Sequence, residues 1–370
     1  MMSRKWIKAD IGGNILEFSN NDGKKLYINK ILKNRYTIED ILSASGGFGI
    51  IFTAIDNRLL NRKVLIKARR YDSEQGLFLY KSDPTREVRI ARIRDQIEFE
   101  CNCLLAFRKK GESRMPNVNN IIYDKSLFLY GPHTDKNGNK FCIDDPKISN
   151  EEPYIIMQII EGVNMGEYIS KGIKNILKER EYDEYFYWER DVLSYGLELC
   201  TILNEFHRQS PDSSYFIYQD LKPDNIMLTH DRYITLIDFG AMTYVKNDES
   251  GQPFSNWEGV GSPGLGTWGY KPPEMNPENH MLSRLDNRAD VYALGVTLFQ
   301  LLTGEDPIRF NEEYGAVPLE KLKEVGCSQT TYELIENSVK SNRDERYNGM
   351  DQMKKKIFDS LKNMKRRVWQ

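Results

Sequence analysis

Residues 290–304, DVYALGVTLFQLLTG, form the longest near-apolar run of the chain. The run is too short to cross a bilayer, which takes about 20 apolar residues as a helix. Asp290 stands at its start, where a carboxylate suits a helix N-terminus. The run is therefore expected to be a helix buried inside a domain, and the rest of the chain must supply what surrounds it. With 370 residues, 40% of them hydrophobic, the chain has material for such a core. This length also lies where one core tends to split into two, so one large domain or two lobes are expected.

The formal net charge is −2, so no global field draws the chain to nucleic acid or to a membrane. The basic runs Arg108-Lys109-Lys110, Lys354-Lys355-Lys356 and Lys365-Arg366-Arg367 read as solvated faces and helix ends. Cys101, Cys103, Cys142, Cys200 and Cys327 are odd in number, scattered and without CxxC spacing. That pattern argues against a disulfide framework or a zinc site and fits a reducing compartment. The N-terminus, MMSRKWIKADIGG, lacks an apolar core of signal-peptide length. The expectation is a soluble, cytoplasmic protein with no membrane span and no nucleic-acid partner.

Residues 1–34 read as an N-terminal extension in which ILEF and KLYINKIL flank NNDGKK, a hairpin pattern. From 35 to 70 the chain is strand-like: YTIEDIL, SGGFG, IIFTAID, KVLIKA. Asp83 and Pro84 read as the N-cap and first position of a helix running to Lys110, with Ile93, Ile97, Leu104 and Phe107 on one face. Residues 131–152 are polar and turn-rich and read as an exposed insert between two strands. PYIIMQII (153–160) is a buried-strand candidate, and beyond Gly162 the pattern turns mostly helical. No internal repeat is visible. The order is a β-rich lobe, then a helical one.

Several stretches carry chemistry. In LSASGGFGIIF (42–52) Gly46, Gly47 and Gly49 permit a tight turn whose N–H groups cradle phosphates, although an ordinary hairpin turn fits about as well. VLIK ends a strand on Lys67, a common feature that gains meaning only beside such a turn. Glu100 shares the apolar helix face of Ile97 and Leu104, where a carboxylate needs a partner such as Lys67. Glu87 and Glu98 are the ordinary solvated alternatives. LIDFG places Asp238 after an apolar strand, and YQDLKPDN places Asp220, Lys222 and Asn225 within six positions. A carboxylate and an amide oxygen suit Mg²⁺, but a surface turn fits either stretch alone.

Taken in order, these stretches, with GTWGYKPPE (266–274) and the run 290–304, resemble a eukaryotic-type (Hanks-type) serine/threonine protein kinase of bacterial flavour. The resemblance spans roughly residues 35–358. It implies an α+β fold of two lobes: a small β-rich N-lobe with one main helix (35–160, with the insert 131–152) and a larger helical C-lobe (161–358). A basic tail, 359–370, follows. It implies ATP and Mg²⁺ as cofactors and transfer of the γ-phosphate to a protein Ser or Thr hydroxyl. A second copy of the chain is an implied partner, as a homodimer for autophosphorylation.

By the same resemblance, Gly46, Gly47 and Gly49 cover the phosphates, with Ala44 where the first glycine usually stands. Ile51 packs on the adenine. Lys67 holds the α- and β-phosphates and pairs with Glu100, at a longer separation than usual. Met157 is the gatekeeper, and the backbone of Gln158 and Ile160 bonds the purine. Asp220 orients or deprotonates the acceptor hydroxyl, Lys222 stabilises the transferring group, and Asn225 and Asp238 hold the metal. Thr267 bridges Asp220 and Lys222. Glu274 pairs with Arg346, and Asp290 holds the catalytic-loop backbone. Tyr218 and Gln219 replace a His and an Arg. Since that Arg binds an activation-segment phosphate, its loss implies activity without one. Thr243, Ser250, Ser255 and Ser262 are the segment's candidate phosphosites. His207 reads as an ordinary helix-end residue.

Three alternatives stand beside this reading, one of them a structural partner-binding protein that would use residues 1–34 and 131–152 as docking surfaces. A pseudokinase or nucleotide-binding scaffold would usually lack Lys67, Asp220 or Asp238, all present here. A small-molecule kinase would normally lack GTxGYxPPE and the DVYxLG helix.

Overall fold

The computed structural model describes residues 6–11, 13–21, 25–44, 49–69, 86–109, 118–125, 128–130, 132–134, 140–142, 151–182, 184–210, 213–255, 264–276, 278, 282–310 and 316–364. The chain divides into two compact units, Met1–Ile159 and Ile160–Gln370.

The first unit opens with strands β1 (Ile7–Asp10), β2 (Ile15–Ser19), β3 (Lys25–Asn29) and β4 (Ile31–Leu32). Then come β5 (Tyr36–Ser43), β6 (Gly49–Asp56), β7 (Arg62–Arg69) and the helix α1 (Arg86–Lys109). After it lie β8 (Val118–Lys125), β9 (Phe128–Tyr130), β10 (Pro132–Thr134), β11 (Lys140–Cys142) and β12 (Glu151–Met157). Asp83 and Pro84, read as the start of the helix, lie outside the described residues. The strands form a sheet in the order β1-β2-β3-β9, another in the order β4-β5-β6-β7-β12-β8, and the pair β10-β11. The stretch 131–152 thus holds a short hairpin where only a loop was expected.

β2 pairs antiparallel with β3, Ser19 opposite Lys25, as the ILEF/KLYIN pattern predicts. Leu16, Phe18, Leu26 and Ile28 point inward and join one core with Phe52, Ile66 and Tyr154 of the larger sheet. The Phe18 and Phe52 ring centroids are 5.8 Å apart. The extension is therefore packed into the first unit's core, because its alternating apolar face needs cover.

The second unit holds β13 (Gly162–Asn164), α2 (Met165–Ser170), α3 (Ile173–Glu179), α4 (Tyr185–His207) and β14 (Ser214–Ile217). These lead to β15 (Ile226–Thr229), β16 (Ile234–Leu236), β17 (Thr243–Asn247) and β18 (Pro253–Ser255). The rest is helical: α5 (Arg288–Thr303), α6 (Glu320–Glu324), α7 (Gln329–Ser338) and α8 (Met350–Asn363). Every residue of α5 except Arg288 and Gln300 is buried, as its apolar sequence requires. Gly304, at φ 74°, ends α5 in the left-handed conformation that glycine adopts without strain. α4 approaches α5 and α8 closely: a Cβ on Gly196 would lie 3.3 Å from Leu298 of α5 and 3.2 Å from Ile357 of α8. Among the described residues no helix is long and apolar enough to cross a membrane.

Candidate active site

The loop between β14 and β15 carries Tyr218, Gln219, Asp220, Lys222 and Asn225. Its entry is pinned by Asp290, fully buried in the first turn of α5. Asp290 Oδ2 accepts the Tyr218 N–H at 2.8 Å, and Oδ1 accepts the Gln219 N–H at 2.9 Å. His207 Nε2, at the end of α4, lies 2.8 Å from Oδ2. The carboxylate only accepts, so this nitrogen carries the proton. His207 is thus a strut for Asp290, where the sequence suggested an ordinary helix-end residue. Gln219 sits at φ 67°, a region costly for a side chain other than glycine and kept only where neighbours impose it. The two bonds to Asp290 impose it.

Asp220 is 3% exposed and surrounded by donors. Its Oδ1 accepts from Thr267 Oγ1 at 2.7 Å, and its Oδ2 accepts from Lys222 Nζ at 3.1 Å and Asn225 Nδ2 at 2.9 Å. Lys222 Nζ also donates to Thr267 Oγ1 at 2.5 Å, so the hydroxyl accepts from the ammonium while donating to the carboxylate. Gly266 makes this approach feasible. A Cβ there would lie 2.6 Å from the Gln219 carbonyl oxygen, and φ is +111°.

β15 and β16 pair with Ile226 opposite Leu236, which brings Asn225 and Asp238 to the same end of the hairpin. The Ile237 N–H closes that end on the Asn225 carbonyl at 2.9 Å. Asn225 Nδ2 is committed to Asp220, bonding its carbonyl at 2.8 Å as well as its Oδ2, so the amide oxygen is the end left to face a cation. Asp238 adopts φ 64°. One carboxylate and one amide oxygen suit Mg²⁺, which binds few protein oxygens and takes the rest from water and phosphate. Tyr218 is fully buried between Phe206 and Phe239. Its hydroxyl donates to the carbonyls of Ile237 (2.5 Å) and Asp238 (2.9 Å), tying the two loops together.

Three more contacts escaped the sequence reading. Gln219 Nε2 donates to the Ala241 carbonyl at 2.6 Å, and its Oε1 accepts the Gly264 N–H at 2.8 Å. Lys271 Nζ, whose pKa burial lowers against the opposing pull of Asp220, donates to the Gly264 carbonyl at 2.9 Å. Arg346 and Glu274 form the bidentate pair expected of them, at 2.6 and 2.8 Å. Of the segment's candidate phosphosites, Thr243 and Ser255 are fully buried, Ser255 donating to the Leu282 carbonyl at 2.8 Å. Ser250 is exposed and bonds Asp248, and Ser262 lies outside the described residues.

In the first unit, alternation along β7 turns Val64, Ile66 and Ala68 into the core and Lys67 to the opposite face. There Lys67 Nζ donates to both oxygens of Glu100, at 2.7 and 2.8 Å, with the two side chains 4% and 2% exposed. Glu100 follows Ile97 and precedes Leu104 on the buried face of α1, where only a paired charge is tolerated. Ile51 on β6 and Ile155 on β12 stand directly opposite Lys67. A Cβ on Gly49 would lie 2.8 Å from the Ala68 carbonyl and 3.0 Å from Lys67 Cε, so the strand passes too close for any larger residue. Gly46 and Gly47 fall outside the described residues. Met157 ends β12 and is 7% exposed, and Gln158 and Ile160 follow, half-buried.

The protein kinase domain family matches residues 143–361, a span that begins beyond Lys67 and Glu100. A probable serine/threonine-protein kinase of Clostridium acetobutylicum is 24% identical over 351 residues, covering 91% of this chain and 41% of that one. A probable serine/threonine-protein kinase PknB of Bifidobacterium longum is 24% identical over 274 residues, 74% of this chain and 31% of its own. The chain thus spans less than half the length of these relatives. A solved structure described as the apo form of PpkA-294 shares the fold, with TM-score 0.54 and 19% identity over 88% of this chain and 96% of that one.

Proposed function

Because this chain belongs to the protein kinase domain family, we propose that it transfers the γ-phosphoryl group of ATP to a Ser or Thr hydroxyl of a protein, its own chain included. The observation that carries the proposal is the closed set of Asp220, Lys222, Asn225 and Thr267. Such transfer is mostly positioning and charge neutralisation, and this set presents a carboxylate and an ammonium in one fixed arrangement.

In this reading Asp220 orients the acceptor hydroxyl and takes its proton as oxygen bonds to phosphorus. The bond from phosphorus to the departing ADP oxygen breaks, and its electron pair leaves with ADP. Lys222 neutralises charge on the group in transfer, and Thr267 keeps Lys222 and Asp220 in register. Asn225 and Asp238 would hold Mg²⁺, which when bound neutralises phosphate oxygens. Lys67, steadied by Glu100, binds the α- and β-phosphates under the backbone of Gly46, Gly47 and Gly49. Ile51 and Met157 pack on the adenine, and the backbone of Gln158 and Ile160 bonds its edge. The reading extends to a cytoplasmic location and to pairing of two copies during autophosphorylation. Cys101, Cys103, Cys200 and Cys327, all free, support a reducing compartment.

The test is incubation with labelled ATP, Mg²⁺ and a generic protein acceptor beside Asp220→Asn. Label on Ser or Thr with the parent, reduced about 10²–10⁴-fold in the variant, is the expected result for loss of a general base. Nucleotide binding without transfer by the parent would overturn it in favour of a scaffold.

A further inference from the structure

We propose that Gln219 is a positioning residue, a neutral amide strap that ties Ala241 and Gly264 to the loop carrying Asp220 and thereby sets Thr267 on Asp220. The inference deepens the phosphoryl-transfer reading and rests on it. A primary amide offers an acceptor oxygen and two donor hydrogens. Gln219 uses both kinds, on the carbonyl of Ala241 and the N–H of Gly264. These partners stand 22 and 45 residues away in sequence, at the two ends of one segment. The strap is itself anchored. Gln219 is 2% exposed, and its N–H is held by Asp290. Gly264 is also held at its carbonyl, by Lys271.

From Gly264 the path to the chemistry is short. The Gly266 position lies against the Gln219 carbonyl so closely that no side chain fits. The next residue, Thr267, bonds Asp220 and Lys222. Moving Gly264 therefore moves Thr267, and a misplacement near 1 Å at such a site costs on the order of 100-fold in rate. Both strap bonds join uncharged groups. Neither bond then requires an added phosphate, and neither Thr243 nor Ser255, both buried here, needs to be modified.

The experiment compares the full chain with Gln219→Met, which keeps the length and removes donor and acceptor, and with Lys271→Met, which removes the second grip on Gly264. Three quantities are read: kcat with KM for ATP, hydrogen–deuterium exchange over residues 240–268, and activity after complete phosphatase treatment. The parent is expected to stay active when dephosphorylated. Gln219→Met is expected to lose about 100-fold in kcat, with KM for ATP within about twofold and the amides of 240–268 exchanging faster while those of α5 stay protected. Lys271→Met should give faster exchange confined to the Gly264 end. Parent-like kcat and exchange in Gln219→Met, or a parent silenced by phosphatase, overturns the proposal. A parent that never transfers phosphate counts against the kinase reading, and the exchange measurement still decides the strap.

Discussion

Asp290→Asn is an almost isosteric change whose cost follows from counting donors. The carboxylate receives N–H groups from Tyr218, Gln219 and His207, all at 2.8–2.9 Å and out of water. The amide of the variant keeps one oxygen. Its best orientation places that oxygen at the Oδ2 position, retaining Tyr218 and His207, and turns an NH₂ toward the Gln219 N–H. Losing charge assistance on the two retained bonds costs about 1 kcal/mol in all, and a stranded buried donor costs about 1–3 kcal/mol more. The expected loss is about 3 kcal/mol, or roughly 6–12 °C in Tm for a unit of this size. Gln219 would also lose its grip at positive φ, so kcat should fall about tenfold or more while KM for ATP holds. Thermal unfolding and initial-rate kinetics on the full chain measure both. A stability change within about 0.5 kcal/mol, the range of an ordinary surface substitution, together with parent-like kcat, would refute the assignment of Asp290 as the loop's anchor.

Other outcomes follow from the same geometry. Lys67→Met leaves Glu100 buried without its cation and is expected to cost about 3–5 kcal/mol in denaturant unfolding as well as transfer activity. Adding Glu100→Met should restore stability without restoring transfer. Phe18→Ala is expected to cost about 3–5 kcal/mol, because Phe18 is fully buried in the shared core; a change below about 1 kcal/mol would show instead that the N-terminal strands pack loosely. Burial pushes the Cys101 thiol up to about 11, with Glu100 adding, and the Cys327 thiol up to about 12. Above the ordinary thiol value the unfolded chain has lost these protons while the folded chain keeps them. Stability should therefore fall as pH climbs from about 9 toward 11–12, with the native Cys101 and Cys327 thiols resisting alkylation at pH 8 and both reacting on unfolding. The lowered Lys271 works in the opposite direction: its unfolded form holds the proton longer, so its share of stability rises with pH up to its ordinary 10.5.

Much was legible in the chain itself where chemistry and spacing are local. Asp220, Lys222 and Asn225 lie within six positions, the apolar run of α5 could only be buried, and the ILEF/KLYIN alternation could only pair as a hairpin. Glu100 was marked by a conflict, a carboxylate on an apolar face, and the conflict pointed to a cation. Side-chain identity and local period carry such information, so reading them needs no coordinates. What only tertiary structure decided has another character. The strap from Gln219 to Ala241 and Gly264 and the bonds from the Tyr218 hydroxyl to Ile237 and Asp238 all end on main-chain N–H or C=O groups. Nearly every residue carries those groups, so no letter of the sequence marks the one that will be met. The His207–Asp290 strut joins two side chains 83 residues apart, and the N-terminal strands find cover on a sheet that begins only later in the chain. Such pairings exist because buried polar groups must be satisfied and apolar faces must be covered, and which partner does so is chosen only when the chain folds.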